Sequence, residues 1–261
     1  MAMKIITWNI NSVRLRLQAV LRLLEDERPD VLCLQETKCP DEHFPAAAFA
    51  EAGYPHQAIR GEKGYNGLAI LARETLTAIS HHDWCGKGDC RHLSARLANS
   101  VLLHNFYVPA GGDVPDPAAN EKFAHKLAFL DEMEKHGSQL ADGPAILVGD
   151  LNIAPREDDV FSHRQLINVV SHTPAEVAAL QRVMAAGAWQ DAVRHLLPEG
   201  KLYSWWSYRA RDWEASDRGR RLDHIWVTPP LLEKLQAAAV LKQVRGWTQP
   251  SDHAPVQIML S

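Results

Sequence analysis

The chain has 261 residues, of which 46% are hydrophobic and 23% are charged, a composition typical of a globular protein with a core of its own. Its formal net charge of −4 excludes a general polyanion binder, so that any contact with nucleic acid must use a local basic patch. The four cysteines form no C-x-x-C pair, no apolar run has membrane-spanning length and no signal peptide is recognisable, so we expect a cytoplasmic protein without a membrane partner.

The start of the chain predicts a strand, an amphipathic helix and a second strand. The two strands, residues 3–8 and 31–34, are apolar runs, and the helix between them has apolar residues at helical spacing behind Ser12, a candidate cap. Polar side chains come directly after both strands. They are Asn9, Asn11 and Glu36.

The next segment predicts a short helix over residues 40–52 and then a series of strands. The expected strands are residues 56–60, 68–73, 75–82, 91–97 and 101–108, the last of which ends in Tyr107. The glycine-rich turn 61–67 is either a plain hairpin loop or a contact to a nucleic-acid backbone. It carries one exposed-type aromatic residue, Tyr65, behind Gly64.

Histidines and cysteines cluster between residues 81 and 92. His81, Cys85, Cys90 and His92 are a candidate zinc set, but the C-x4-C spacing is at the loose end for such a site. A solvent-exposed loop without metal is therefore the default expectation.

The stretch from Pro144 to Pro155 carries the strongest local signal. Residues 145–148 form an unbroken apolar run typical of a strand buried on both faces, and the run stops at Asp150 and Asn152. An Asx-type turn is an equally good explanation for this stretch taken alone. A long amphipathic helix over residues 118–136 precedes it, and a capping box at Thr173 starts a helix that ends at Ala186.

The last quarter combines aromatic and basic residues. Residues 203–208 contain four aromatic side chains, and residues 209–221 contain five arginines, at 209, 211, 218, 220 and 221. A charge run is usually a solvated face, but aromatic and cationic side chains together also hold unstacked nucleotides. Residues 222–227 predict a strand with a buried Asp223, and Asp252 and His253 precede a final strand.

Together these elements predict an α/β fold with two packed mixed sheets and helices outside them, in a single domain over residues 1–261. Polar residues at the strand ends form one set of hard oxygen donors with a histidine, which suits Mg²⁺ or Mn²⁺. Neither a Gly-x-Ser-x-Gly motif nor a P-loop occurs, so metal-assisted phosphodiester hydrolysis is the chemistry that fits. The set is Asn9, Asn11, Glu36, Tyr107, Asp150, Asn152, Asp223, Asp252 and His253.

Seven short motifs in order resemble the bacterial exonuclease III family of apurinic/apyrimidinic endonucleases. They are Thr7–Arg14, Leu34–Lys38, Gly64–Gly67, Tyr107–Pro109, Gly149–Ile153, Leu222–Asp223 and Ser251–Pro255. The resemblance implies a four-layered α/β sandwich of the deoxyribonuclease I type. It also implies a Mg²⁺-dependent enzyme of base excision repair that cuts duplex DNA 5′ to abasic sites, resects 3′ ends and trims 3′ blocking groups.

The resemblance also assigns roles residue by residue. It makes Glu36 the principal metal ligand, helped by Asn11 or Asp252, with Asp150 and Asn152 as further candidates. Asp150 orients or deprotonates the attacking water, and Asn9 and Asn152 hold phosphate oxygens. His253, oriented by Asp223, stabilises charge on the phosphate, and Tyr107 contacts the phosphate or assists the leaving oxygen.

The same comparison places a set of DNA contacts around the site. Trp205 and Leu222 fall where apolar side chains wall the pocket for a flipped-out abasic sugar. Arg220 stands where some relatives have a large apolar residue. The expected backbone contacts are Arg14, Lys38, Gly64, Tyr65 and Arg91.

The nuclease is expected to be a monomer. Two alternatives use the same fold. One is a phosphoesterase acting on small phosphate substrates, and the other is a catalytically silent regulator that binds RNA or protein. The complete polar set and the aromatic-basic segment favour the nuclease over both.

Overall fold

The computed structural model describes residues 2–210 and 212–261, so that Met1 and Arg211 of the basic segment lie outside the described residues. Two mixed β-sheets of six strands each pack face to face. The strands of the first sheet are β1 (Met3–Asn9), β2 (Val31–Gln35), β3 (His56–Arg60), β4 (Leu68–Ala72), β11 (Leu235–Val240) and β12 (Val256–Leu260). The strands of the second are β5 (Thr77–Ser80), β6 (His92–Arg96), β7 (Leu102–Tyr107), β8 (Ala145–Asp150), β9 (Gln190–Asp191) and β10 (Asp223–Val227).

The two sheets share the same central pattern. The first has the order β11-β12-β1-β2-β4-β3 and the second the order β5-β6-β7-β8-β10-β9. In each, a parallel pair is central, β1 with β2 and β7 with β8, and antiparallel strands flank it on both sides. The predicted hairpins over residues 56–73 and 91–108 are confirmed as the antiparallel pairs β3–β4 and β6–β7.

Helices cover the outer face of each sheet. The α-helices are α1 (Leu17–Glu27), α2 (Ala46–Glu51), α3 (Glu121–Lys135), α4 (Gly137–Leu140), α5 (His163–Leu166), α6 (Pro174–Ala186), α7 (Ala192–Leu196), α8 (Trp213–Ser216) and α9 (Pro229–Leu232). Helices α1 and α2 pack on the first sheet, and α3 and α6 pack on the second. The four layers confirm the predicted α/β sandwich.

The apolar runs form strands because both faces of each sheet are covered. In β1, Ile5 packs into the core between the sheets and Ile6 into the layer below α1, and both are fully buried. In β8, Val148 faces the inner core and Leu147 the layer below α3. A strand buried on both sides needs no alternation of polar and apolar residues.

The predicted cap at Ser12 was wrong, because the chain uses that segment for another purpose. Ser12 has φ +89°, and its backbone N–H donates to the carbonyl oxygen of Glu36 at 2.7 Å. The helix therefore begins only at Leu17. The capping box at Thr173 is confirmed, since Thr173 Oγ1 accepts from the Glu176 backbone and the Glu176 carboxylate accepts from the Thr173 backbone.

Two other helix boundaries differ from the predicted ones, each for a local reason. The helix predicted over residues 40–52 divides at Pro45 into a 3₁₀ turn, Asp41–His43, and α2. The long helix begins at Glu121 because the side chain of Asn120 caps it. Among the described residues, no helix is long and apolar enough to cross a lipid bilayer.

Candidate active site

The polar strand ends meet at one edge of the sandwich. Strands β1, β2, β7 and β8 all point their carboxyl ends to this edge, and antiparallel β10 begins there with Asp223 paired to Asp150. The loop before β12 brings Asp252 and His253 to the same place, since β12 runs antiparallel to β1. The topology thus collects side chains from both halves of the chain.

Asp150 lies at the centre of this edge and is only 1% exposed. Its Oδ2 accepts from Asn9 Nδ2 at 2.9 Å and from Asn152 Nδ2 at 3.2 Å, and its Oδ1 accepts from the Asn152 backbone at 2.9 Å. Gly149 allows this placement, because a Cβ there would lie 1.9 Å from the carbonyl oxygen of Phe106. The carboxylate is held rigidly by donors on three sides.

His253 forms a pair with Asp223 and faces Asp150. Its Nδ1 lies 2.8 Å from Asp223 Oδ2, and its Nε2 lies 3.7 Å from Asp150 Oδ2. Burial alone would lower the pKa of His253, but Asp223 and Asp150 raise it to about 10. Burial raises the pKa of Asp150 to about 7, although His253 opposes the rise. His253 is therefore a buried cation aimed at the reaction centre.

Glu36 marks a second group of oxygen donors beside Asp150. Asn9 Nδ2 donates to Glu36 Oε1 at 2.8 Å, and the Lys38 ammonium lies 2.7 Å from Glu36 Oε2 and 2.6 Å from Asn11 Oδ1. Burial works against ionisation, but Lys38 and Asn9 hold the pKa of Glu36 below its usual value. A cationic group thus already sits between these oxygens.

Asp252 extends this second group towards the aromatic-basic segment. Its Oδ1 accepts from Asn11 Nδ2 at 3.1 Å, and its Oδ2 accepts from the Trp205 indole at 2.9 Å. Burial would raise the pKa of Asp252, but His253 and these two donors lower it below its usual value. Asp252 therefore stays ionised at neutral pH.

Several site residues adopt left-handed backbone conformations that non-glycine residues rarely use. Their φ angles are +48° for Asn11, +50° for Glu36, +50° for Lys38 and +54° for Asn152. Hydrogen bonds hold the strained segments, for example from the Lys38 backbone to Asn66 at 2.9 Å. Such strain persists only where the surroundings fix it, and it collects at functional sites.

A buried polar bridge joins the two sheets directly below the site. Gln35 Nε2 donates to Asn105 Oδ1 at 2.7 Å, and Asn105 Nδ2 donates to the carbonyl oxygens of Leu34 and Ala69, each at 3.0 Å. Gln35 and Asn105 are fully buried. The bridge fixes the strand ends of one sheet relative to those of the other.

Tyr107 closes the site from the end of β7. Burial raises the pKa of its hydroxyl well above the usual value, and the neighbouring Glu36 and Asp150 carboxylates add to the rise. The Arg91 guanidinium lies 4.9 Å from the Tyr107 ring centre and donates to the Tyr107 carbonyl at 3.3 Å. Tyr107 is thus a protonated hydroxyl beside the Glu36 and Asp150 carboxylates.

The predicted DNA contacts surround this centre at different depths. Arg14, Gly64 and Tyr65 are exposed, and Tyr65 is 74% exposed at the tip of the β3–β4 hairpin. Leu222 is buried and packs with Leu166 and Trp205. Leu222 therefore lies behind Trp205 and supports that side chain, and it does not form an exposed pocket wall itself.

Sequence reasoning missed the buried ion pair that supports Asn152. Lys126 and Glu176 are both fully buried, and Lys126 Nζ donates to Glu176 Oε1 at 2.5 Å and to the Asn152 carbonyl at 2.8 Å. Glu176 also accepts from the Ser171 backbone. A signal existed, since Lys126 lies on the same face of α3 as Phe123 and Met133, where an apolar residue was expected.

The loop over residues 81–92 does not assemble the candidate zinc set. Among the described residues, the one group of three or more His, Cys, Asp or Glu side chains with ligand atoms close together is Asp150, Asp223 and His253. Burial raises the pKa of the Cys85 thiol to about 11, away from the thiolate that zinc needs. The loop is also less exposed than expected, because Trp84 is buried against Phe106 and Phe129.

His92 instead belongs to a relay of neutral histidines. Since the Leu140 carbonyl can only accept, His104 donates to it from Nε2 at 3.0 Å and accepts at Nδ1 from His92 Nε2 at 3.0 Å. His92 Nδ1 accepts in turn from the His82 backbone at 3.0 Å. Burial lowers the pKa of His104 to about 4 and that of His92 well below its usual value. The hydrogen bonds act in the same direction, because a proton added to either ring would place two N–H groups against each other.

We expect this relay to make the protein sensitive to acid. Below about pH 6.5 the unfolded histidines take up protons and the native ones do not, so the free energy of unfolding falls until about pH 4, by about 3 kcal/mol for His104. Urea unfolding at several pH values should show a shallower decline in His104→Gln. His43→Gln, at an exposed position, is the control. An equal slope in wild type and His104→Gln would contradict the assignment.

Comparisons with known proteins agree with this geometry over nearly the whole chain. Residues 6–253 match the Endonuclease/Exonuclease/phosphatase family. Exodeoxyribonuclease III from Haemophilus influenzae is 31% identical over 268 residues, which cover 97% of this chain and 98% of that protein. The structure of an AP endonuclease from Archaeoglobus fulgidus superposes with a TM-score of 0.93 at 32% identity and covers 99% of both chains. A 3′ phosphatase, NExo, from Neisseria, bound to product DNA hairpin, superposes with a TM-score of 0.86 at 34% identity, again over 99% of both chains.

Proposed function

The chain belongs to the endonuclease/exonuclease/phosphatase family, and from that premise we propose a Mg²⁺-dependent DNA repair nuclease that cuts duplex DNA 5′ to abasic sites. The same site would resect 3′ ends and trim 3′ blocking groups. The observation that carries the proposal is the meeting of the Glu36 donor group with the rigid Asp150–Asn152–His253 group at one sheet edge. Hydrolysis of a phosphodiester needs both an oxygen-ligated cation and a positioned base.

The residues present fit a divalent cation, and two positions compete for it. Asp150, Asp223 and His253 have ligand atoms within 4.8 Å of one another. That position is the weaker one, because His253 is engaged by Asp223 and its raised pKa leaves no free lone pair. The Glu36 group is the stronger one, since its oxygens already surround the Lys38 ammonium.

We therefore assign the metal to Glu36, with Asn11 and Asp252 as its helpers. Carboxylate and amide oxygens are the ligands that Mg²⁺ prefers, and Mn²⁺ can replace it. When bound, the metal neutralises charge that develops on the phosphate and favours a nucleophilic water at neutral pH.

The other side chains of the site have separate roles in the reaction. Asp150 is fixed by Asn9 and Asn152, so its carboxylate can orient the attacking water and accept its proton. The His253 cation, held by Asp223, stabilises negative charge on a phosphate oxygen. Tyr107 offers its hydroxyl proton to a phosphate or leaving oxygen. Arg14 and Tyr65 are exposed, and we assign them contacts to the backbone of the duplex.

A duplex with one labelled abasic site tests the proposal directly. Incubation with Mg²⁺ should give a single cut 5′ to that site, and EDTA should abolish it. Resection of an intact duplex in the same gel would report the 3′ activity. No cleavage with either Mg²⁺ or Mn²⁺ would contradict the proposal, and tight binding of RNA in that case would support the silent regulator. A monomeric state, a cytoplasmic location and a single domain over residues 1–261 stay predictions.

A further inference from the structure

An open cavity of about 600 Å³ lies beside the active centre on the side of Trp205. Three arginines line it against a single carboxylate, that of Asp212, and Trp205 and Phe161 supply aromatic walls. The arginines are Arg209, Arg218 and Arg220. The Asp212 side chain is already used as a cap for the Ala215 backbone at 3.0 Å. The cavity is therefore cationic as well as aromatic.

The cavity is coupled to the reaction centre through one side chain. The Trp205 indole donates to Asp252 at 2.9 Å, and the Trp205 backbone forms a bridge with His253. On its other side, Trp205 forms a backbone bridge with Arg220. A group joined to a phosphate at the active centre can therefore enter the cavity along Trp205.

Arg220 is held in this wall without a carboxylate partner among residues 2–210 and 212–261. Its Nη1 donates to the Val170 carbonyl at 3.0 Å and to Ser171 Oγ at 2.7 Å, and its guanidinium lies 5.3 Å from the Trp205 ring centre. Its Nε is buried and has no hydrogen-bond partner among the described residues. Burial lowers the pKa of Arg220, and the carboxylate of Glu176, which is already paired with Lys126, opposes this only in part. A fixed, unpaired guanidinium in a cavity is a binding group for an anion.

We propose that Arg220 makes this cavity selective for a base-less sugar residue that carries a carboxylate, such as the ring-opened acid of an abasic site oxidised at C1′, over a neutral one. The inference rests on the proposed function, in which the base-less residue lies on the 3′ side of the scissile phosphate. The cavity receives that residue because Trp205, the expected wall of the sugar pocket, lines it. A neutral deoxyribose offers the guanidinium no charged acceptor. A carboxylate on the sugar supplies the partner that the fold does not.

The reaction itself is unchanged by this selection. The oxygen of water bonds to phosphorus, and the bond between phosphorus and the upstream 3′ oxygen breaks. One proton of the water passes to that oxygen, which leaves a 3′ hydroxyl on the upstream strand. The acidic sugar keeps the phosphate, and its carboxylate takes no part in the bond changes.

Two substrates that differ only in charge test the proposal. Each is a duplex with one tetrahydrofuran residue in place of a nucleotide, bearing a carboxylate at C1′ in one and the carboxamide of the same shape in the other. We expect wild type to cleave the carboxylate substrate with a kcat/KM roughly tenfold or more above that of the carboxamide, the usual contribution of one charge-assisted hydrogen bond. Arg220→Gln should remove the preference, and Arg220→Lys should retain part of it.

A folding defect does not change the ratio of the two rates, because an unfolded fraction lowers both rates by the same factor. Arg209→Gln is the matched control, since Arg209 is an exposed arginine of the same cavity. It should leave the ratio within about twofold of wild type. An equal ratio in wild type and Arg220→Gln, or an equal loss in Arg209→Gln, would overturn the role of Arg220. Absence of cleavage of both duplexes with Mg²⁺ would instead contradict the proposed function.

Discussion

Asp150→Asn should lower kcat on an abasic duplex by about 10²- to 10⁴-fold, the range that a lost general base accounts for. The substitution keeps the shape of the side chain but removes the group that accepts the proton of the water. Both Asp150 oxygens accept hydrogen bonds from Asn9 and Asn152, so an amide nitrogen also meets a donor where an acceptor stood. Single-turnover cleavage with saturating Mg²⁺ isolates the chemical step.

The fold should survive this change. Burial raises the pKa of Asp150 to about 7, which means that the charged form gains little from its surroundings in the free protein. Circular dichroism should therefore stay close to wild type, and the Tm should fall only by the few degrees that one mispaired amide donor accounts for. Asp158→Asn is the matched control, because Asp158 is exposed in the same segment of chain. Cleavage by Asp150→Asn at near wild-type rate would contradict the assigned mechanism.

The second large effect is on stability, and it concerns the pair of Lys126 and Glu176. Lys126→Met should lower the free energy of unfolding by about 3–5 kcal/mol, because it leaves the fully buried Glu176 carboxylate without its cation. For a chain of this size that corresponds to a fall in Tm on the order of 10 °C. Urea unfolding followed by intrinsic fluorescence measures the change.

A double variant distinguishes the lost charge partner from lost packing. Lys126→Met with Glu176→Gln removes both charges, so part of the stability should return. Lys122→Met, at an exposed position in the first turn of the same helix, should stay within about 0.5 kcal/mol of wild type. A change below about 1 kcal/mol in Lys126→Met would show that the pair does not hold the Asn152 loop.

The location of the site could be predicted from the sequence for a physical reason. Apolar runs such as residues 145–148 predict strands buried on both faces, and the polar residue that ends each run must lie at the sheet edge. Asp150 and Glu36 were found in this way, because parallel strands end at a common edge. The fold class followed from the order of strands and helices.

The supports of the site could not be predicted, because they are contacts between distant residues. Gln35 and Asn105 are 70 residues apart and meet only after the sheets pack. The Lys126–Glu176 pair joins two helices 50 residues apart. The first helix was predicted to begin directly after Ser12, but it begins at Leu17. The reason is that the Ser12 backbone donates to the Glu36 carbonyl, a contact that no local sequence pattern reveals. Local propensity predicts an element correctly where tertiary packing favours the same conformation. It cannot predict contacts that tertiary packing alone determines.

The position of β12 has a consequence for the time at which the nuclease becomes active. β12 lies inside its sheet, between β11 and β1, although along the described chain it comes after the other eleven strands. The segment that carries Asp252 and His253 leaves the ribosome just before it. Until then Asp223 lacks the imidazole of His253, and β1 has β2 on one side but no strand on the other. A chain whose synthesis has not yet passed His253 therefore cannot cut DNA by the proposed mechanism.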